Sequence, residues 1–306
     1  MTTLNPQPTN SRPVVIGLGE LLWDVFPDGR RTGGAPANFA FQAGQLGCRA
    51  VLVTRLGADA AGDDLLSALP DQGMDLSQVQ RDPALRTGEV TVSLKDGHPE
   101  YIIHENVAWD ALEATPELLK TMSQANAVCF GTLAQRDVRS RQAIHAAVAA
   151  TPAECLRVYD VNLRQKYYDA AWISDSLKLA NIVKLNDEEL PVIAELLQLP
   201  VEPIEFARQL MSRYDIKLVC LTRGAHGCLI VTPTEVHDVP GRAVKVADTV
   251  GAGDAFTAGF VYAQLRQWPA GRSAEFANRV GAMVASRAGA MPDLRREFAQ
   301  LVQQYE

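Results

Sequence analysis

The sequence predicts an α/β fold: a central, mostly parallel sheet flanked by helices. Short β-branched runs alternate with longer stretches of helical periodicity, the pattern of βαβ units. Polar or glycine-rich residues follow five of the strand candidates, along one edge, where open α/β sheets bind ligands. Beyond Gly251 the pattern is almost wholly helical.

Residues 1–12 read as a loose tail, because "MTTLNPQPTNSRP" is polar, bears prolines and lacks the apolar stretch of a signal peptide. Strands are expected at 14–18, 50–56, 127–131, 156–162, 181–186, 217–222 and 228–232, all short apolar runs rich in β-branched residues. Helical stretches include 36–47, where Pro36 suits a first turn, 139–150 and 188–199. Residues 87–105 break the alternation: apolar and polar residues alternate on either side of Asp96-Gly97, a hairpin signal. In a parallel fold such a hairpin is either an edge decoration or a lid over the strand ends.

A chain of 306 residues, 47% hydrophobic, can bury a sizeable core. Its 36 acidic against 29 basic residues argue against nucleic acid or a membrane surface as partner. A local phosphate site remains open, since backbone N–H groups can build one. The five cysteines include no C-x-x-C pair and lie mostly in apolar runs, so buried reduced thiols in a cytoplasmic protein are expected. The histidines show no metal-binding spacing, and no segment is long enough to span a bilayer.

The motifs carry the chemistry. In "VIGLGELLWD" the third glycine of a dinucleotide fingerprint is missing, and Glu20 and Asp24 place two carboxylates just past a strand end, suited to hydroxyl donors. "GGAPAN" sets Gly33 and Gly34 before a helix that carries Asn38, a donor and an acceptor. In "DVNLR" a continuing strand would turn Asp160, Asn162 and Arg164 to one face. In "KLNDEE", Asn186 and Glu189 either cap a helix or lie near a phosphate-bound metal. "LTRGAHG" puts Gly224 and Gly227 in a turn between two strands. "DTVGAGDAF" offers the amides of Gly251, Ala252 and Gly253 at a helix N-terminus, an anion site, with Asp254 directly beside it. A carboxylate next to a bound phosphate fits phosphoryl transfer to a hydroxyl.

"GGAPAN" and "DTVGAGDAFTAGF", in this order and separation, together with "NDEE" and "LTRGAHG", resemble the ribokinase/PfkB family of carbohydrate kinases over almost the whole chain. The resemblance implies a ribokinase-like single domain over 13–306, with a small β lid from about 21–33 and 87–105. It makes Asp254 the catalytic base and Gly251, Ala252 and Gly253 the anion hole. It gives Asp24, Gly33, Gly34 and Asn38 to sugar hydroxyls, joined by Tyr101 of the lid and by Arg164. Asn186 and Glu189 would organise Mg²⁺ and phosphates, Glu189 indirectly. Thr222, Gly224, Gly227 and Gly253 would meet ATP, and Asn278 would sit near the adenine. Asp248 and the carbonyls of Val250, Val284, Arg287 and Gly289 would hold a monovalent cation, K⁺. A homodimer through the lid is expected as well.

Within the family the motifs look most like bacterial fructokinases. Kinases of 2-keto-3-deoxygluconate, ribose or nucleosides share much of the pattern. An arginine beside an acid in one motif is partly neutralised, so Arg164 next to Asp160 is expected to be a poor receptor for a sugar carboxylate, which favours a neutral sugar. A non-catalytic sensor on the same fold is the rival from another class, and the intact Asp254 turn argues against it. The broken glycine fingerprint argues against an NAD-dependent oxidoreductase.

Overall fold

The computed structural model describes residues 12–69, 73–95 and 98–306. The strands are β1 (Val14–Leu18), β2 (Leu22–Phe26), β3 (Gly29–Gly33), β4 (Arg49–Gly57), β5 (Met74–Asp82), β6 (Gly88–Lys95), β7 (His98–Ile103), β8 (Ala127–Phe130), β9 (Leu156–Asp160), β10 (Ile182–Asn186), β11 (Leu218–Thr222), β12 (Cys228–Val231) and β13 (Val236–Val239). The helices are α1 (Ala35–Gln45), α2 (Ala60–Ala68), α3 (Pro116–Met122), α4 (Val138–Ala149), α5 (Ala170–Leu179), α6 (Glu189–Leu197), α7 (Pro203–Tyr214), α8 (Ala252–Leu265), α9 (Ala270–Ala285) and α10 (Arg295–Gln303).

Nine strands form one sheet in the order β13-β12-β11-β10-β9-β8-β1-β4-β5. It is parallel from β11 through to β5, and β12 and β13 add an antiparallel edge. Period-two alternation builds a core on each face. Val15, Cys129, Val158, Ile182, Cys220 and Ile230 pack with Phe39 of α1, Phe256 and Phe260 of α8 and Phe276 of α9. Their neighbours Ile16, Val128, Tyr159, Val183 and Val219 pack with Ile144 of α4, Ile173 of α5, Ile193 of α6 and Phe206 of α7. This three-layer arrangement is the predicted one.

Four strands form a second sheet, β3-β2-β6-β7, from the two segments expected to make a lid. The Asp96-Gly97 turn lies outside the described residues, as do tail residues 1–11. A cationic clamp ties this sheet to the main one. The Arg136 guanidinium meets Asp110 in two bonds of 2.8 and 2.9 Å and donates to the His104 carbonyl at 2.5 Å. It lies 3.9 Å from the Trp109 ring, an added cation–π attraction.

Two expectations need correction. The run 156–162 is strand only to Asp160, because Asn162 and Gln165 take left-handed φ of 43° and 50°. Asp160, Asn162 and Arg164 therefore do not alternate along one strand face. The edge strands β5 and β13 were not foreseen. "MDLSQVQRD" and "VHDV" carry few apolar residues because they are half-solvated.

Candidate active site

The carboxyl ends of β1, β8, β9 and β10 and the N-termini of α1 and α8 meet at one cleft. Glu20, Phe39, Phe130, Asp160, Asn162 and Asp254 are among the residues that line it.

Gly251 takes a left-handed φ of 75° to cap α8, and a Cβ there would stand 2.6 Å from that of Ala290. Glycine meets both demands at once. The amides of Gly251, Gly253 and Asp254 have no protein acceptor among the described residues, whereas that of Ala252 donates to the Thr249 carbonyl at 3.2 Å. The anion-facing donors are therefore the two glycines and Asp254; Ala252, expected to be free, is occupied by the turn.

Asp254 does not cap its helix. Its Oδ2 accepts from Asn38 Nδ2 at 2.8 Å, across the gap between α1 and α8. Burial pushes its pKa up to about 6, and the Asp160 charge adds to this; the Asn38 bond, Lys184 and Arg164 pull the other way. A base poised near neutrality suits proton abstraction.

Lys184 was not singled out in the sequence, although a lysine inside the apolar run "NIVKLN" is itself a signal. It is buried and donates to Asp160 Oδ1 at 3.0 Å. A Cβ on Gly253 would lie 3.3 Å from Nζ, so the ammonium sits directly behind the anion-facing turn. Burial alone would lower its pKa, but the Asp160 and Glu189 carboxylates outweigh this and raise it. Thr257 Oγ1 reaches Asp160 Oδ2 at 3.1 Å and the Gly253 carbonyl at 3.0 Å, bracing the turn from below.

On β2, Asp24 lies against Gly33, where a Cβ would sit 2.3 Å from Oδ2. Gly34 has a φ of 125° and packs on the Glu20 carbonyl, so no side chain fits there. Burial raises the Asp24 pKa against the opposing charges of Arg164 and Arg31. Arg164 does not pair with Asp160, which is held by Lys184 and Thr257. Its guanidinium is exposed, donates only to the Leu163 carbonyl among the described residues, and acts on Glu20, Asp24 and Asp254. The expected neutralisation of Arg164 is thus overturned. Tyr101 is half exposed on β7, and its carbonyl accepts from Gln165 Nε2 at 2.5 Å.

Farther along the edge, Asn186 Oδ1 caps α6 through the amides of Glu188 and Glu189 at 3.0 and 2.8 Å. Glu189 returns the bond to the Asn186 amide at 2.9 Å and accepts from Leu163 at 2.8 Å. The capping reading of this motif is realised, with Asn186 Nδ2 uncommitted among the described residues. Thr222 ends β11, and Gly224 and Gly227, at φ of 53° and 86°, make the turn into β12. Asn278 of α9 faces the same turn, within 3.4 and 3.3 Å of the Val239 and Pro240 carbonyls. Asp248 ties two loops by accepting from Val250 and Gly289, both at 3.0 Å. The Val284 carbonyl accepts from the Arg287 amide at 2.9 Å at the end of α9. No cluster of three histidine, cysteine, aspartate or glutamate side chains forms a metal site among the described residues.

A model of the pfkB family carbohydrate kinases matches residues 19–296. The chain belongs to this family. The kinase is 30% identical to rice fructokinase-1 over 321 residues, covering 94% of this chain and 96% of the rice protein. The structure of Xylella fastidiosa fructokinase with bound ATP superposes with a TM-score of 0.83 at 25% identity, covering 95% of the kinase and 98% of that chain. Vibrio cholerae fructokinase with fructose, ADP and calcium bound superposes with a TM-score of 0.78 at 27% identity, covering 96% and 99%. The fold is ribokinase-like, and the kinase is a sugar phosphotransferase.

Proposed function

We propose that the kinase transfers the γ-phosphoryl of ATP to a primary hydroxyl of fructose. The observation that carries this reading is the partly buried Asp254 beside three amides that have no protein acceptor among the described residues, with Lys184 behind them. Asp254 takes the hydroxyl proton as the oxygen attacks phosphorus. The amides of Gly251, Gly253 and Asp254 stabilise charge developing on the transferred group, and the Lys184 charge reinforces them. Asp24 and Asn38 orient the sugar, and the lid excludes water. Thr222, Gly224, Gly227, Asn186 and Asn278 border the nucleotide. Glu189, with both oxygens bonded to backbone, suits a Mg²⁺ held mainly by phosphates, which would supply charge neutralisation there. Asp248 and the carbonyls of Val250, Val284, Arg287 and Gly289 would hold K⁺ near the anion turn, so K⁺ is expected to activate over choline at equal ionic strength. The five free, buried cysteines suit the cytoplasm.

The named relatives support fructose. The uncommitted Arg164 favours a second reading, a sugar acid such as 2-keto-3-deoxygluconate, whose carboxylate would meet that guanidinium. ADP release measured over fructose, ribose, 2-keto-3-deoxygluconate and nucleosides decides. The fructose reading requires kcat/KM for fructose to exceed that for the acid by at least roughly tenfold, about 1.4 kcal/mol. A preference for the acid, lost in Arg164→Ala with ATP binding kept, would establish the second reading. No turnover on any sugar would leave a non-catalytic binding protein.

A further inference from the structure

Two acceptor atoms in the cleft are buried without a donor. Glu20 Oε2 and Asn38 Oδ1 make no hydrogen bond among the described residues, and both residues are only 4% exposed. Such atoms are costly when left unpaired. They belong to adjoining pieces of structure. Glu20 follows β1, and the first turn of α1 rests on its backbone, a Cβ at Gly34 falling 2.5 Å from the Glu20 carbonyl. Asn38 lies one turn further along α1. The other end of its amide donates to Asp254, and Glu20 and Asp254 line the same cleft.

An ionised Glu20 cannot repair this, because a carboxylate only accepts. A protonated Glu20 can, because it brings the missing donor. We propose that Glu20 acts as a protonated positioning residue for Asp254: its acid O–H, directly or through one water in the cleft, donates to Asn38 Oδ1 and so fixes the amide that holds the catalytic base. The inference rests on the reading of Asp254 as base and adds a residue to it.

The charges around Glu20 are consistent with this protonation state. Its pKa is raised to about 7, chiefly by burial and in part by Asp254 of α8, against the pull of its own backbone amide, Arg164 after β9 and Arg136 after β8. Asp24 of β2 shares the Arg164 charge, and Asp160 of β9 is compensated by Lys184 of β10. An incoming nucleotide triphosphate adds negative charge and favours the acid form. As pH rises through about 7 in the free enzyme, the proposed donor is lost and both acceptors are left without one.

Glu20→Gln tests this, because its Nε2 group is a donor at every pH. For the wild type, kcat/KM for the sugar is expected to fall several-fold above pH about 7. For Glu20→Gln that fall should vanish. Glu20→Ala, which has no donor, should lose several-fold in kcat at all pH while its ATP KM stays unchanged. The same alkaline fall in Glu20→Gln as in wild type would overturn the proposal. So would a pH-independent rise in sugar KM in Glu20→Gln, which would make Glu20 an acceptor for substrate. Failure of the kinase reading shows differently, as wild type inactive on every sugar.

Discussion

Asn38 and Asp254 stand 216 positions apart in the chain, and a 2.8 Å hydrogen bond joins them at the point where α1 and α8 converge. That contact carries the two signature turns into one site. It also fixes the base from the sugar side, so that the residue that orients substrate orients the catalyst as well. Because the bond favours the ionised carboxylate, removing it raises the pKa of Asp254. Asn38→Ala is therefore expected to move the acid limb of the kcat/KM profile above about 6 and to lower kcat. An unmoved limb in Asn38→Ala would show that the bond does not act on the base.

Asp254 is held at a cost to stability. Its folded pKa, about 6, lies above the 3.8 of an unfolded aspartate, so the folded state binds the proton more tightly and loses stability as pH rises between these values. Asp254→Asn removes a group that must ionise in a partly desolvated place. It should raise the melting temperature at pH 8 by the equivalent of at most roughly 3 kcal/mol and leave it unchanged at pH 4. Equal effects at both pH values would contradict the shifted pKa.

The cap of α8 is the second strained point. Gly251→Ala forces a side chain into the left-handed region, at about 1–2 kcal/mol, and into contact with Ala290. A melting temperature lower by several degrees is expected, together with a kcat reduced at least about tenfold as the amides move off the transferred group. A stable variant with unchanged kcat would show that the turn is a structural cap and nothing more.

The lid reading has its own test. The second sheet is tied to the main body at its base by Arg136 and by Tyr167, whose hydroxyl donates to the Ile103 carbonyl at 3.1 Å. Saturating sugar should slow amide exchange in β2, β6 and β7 more than in β1, β8 and β9, because closure excludes water from the cleft. Equal protection in both sheets would leave the second sheet as an edge decoration.

The sequence showed the parallel strands well, since each is a short apolar run with turn residues at its carboxyl end. β5 and β13 were illegible because half-solvated edge strands carry no apolar signature. The Asp254 turn and the glycine pair Gly33-Gly34 were legible because Gly251 and Gly34 take positive φ and Gly33 leaves room for Asp24. Lys184 was passed over, and Arg164 was set beside Asp160, which is bonded to Lys184 and Thr257 instead. Both errors come from treating Asp160 as a neighbour of its own motif. The acid is at the end of a strand, and across-sheet neighbours such as Lys184 on β10 are invisible to local spacing.

The most direct test of the account is the turnover of Asp254→Asn beside its affinity for MgATP. The amide fills the same space and still meets Asn38, but it cannot take a proton. The account predicts a kcat lower by at least about a hundredfold with a nearly unchanged nucleotide Kd, since the base acts mainly in the transition state. A variant that turns over sugar at close to the wild-type rate would show that Asp254 is not the base, and the mechanism built on it would fall.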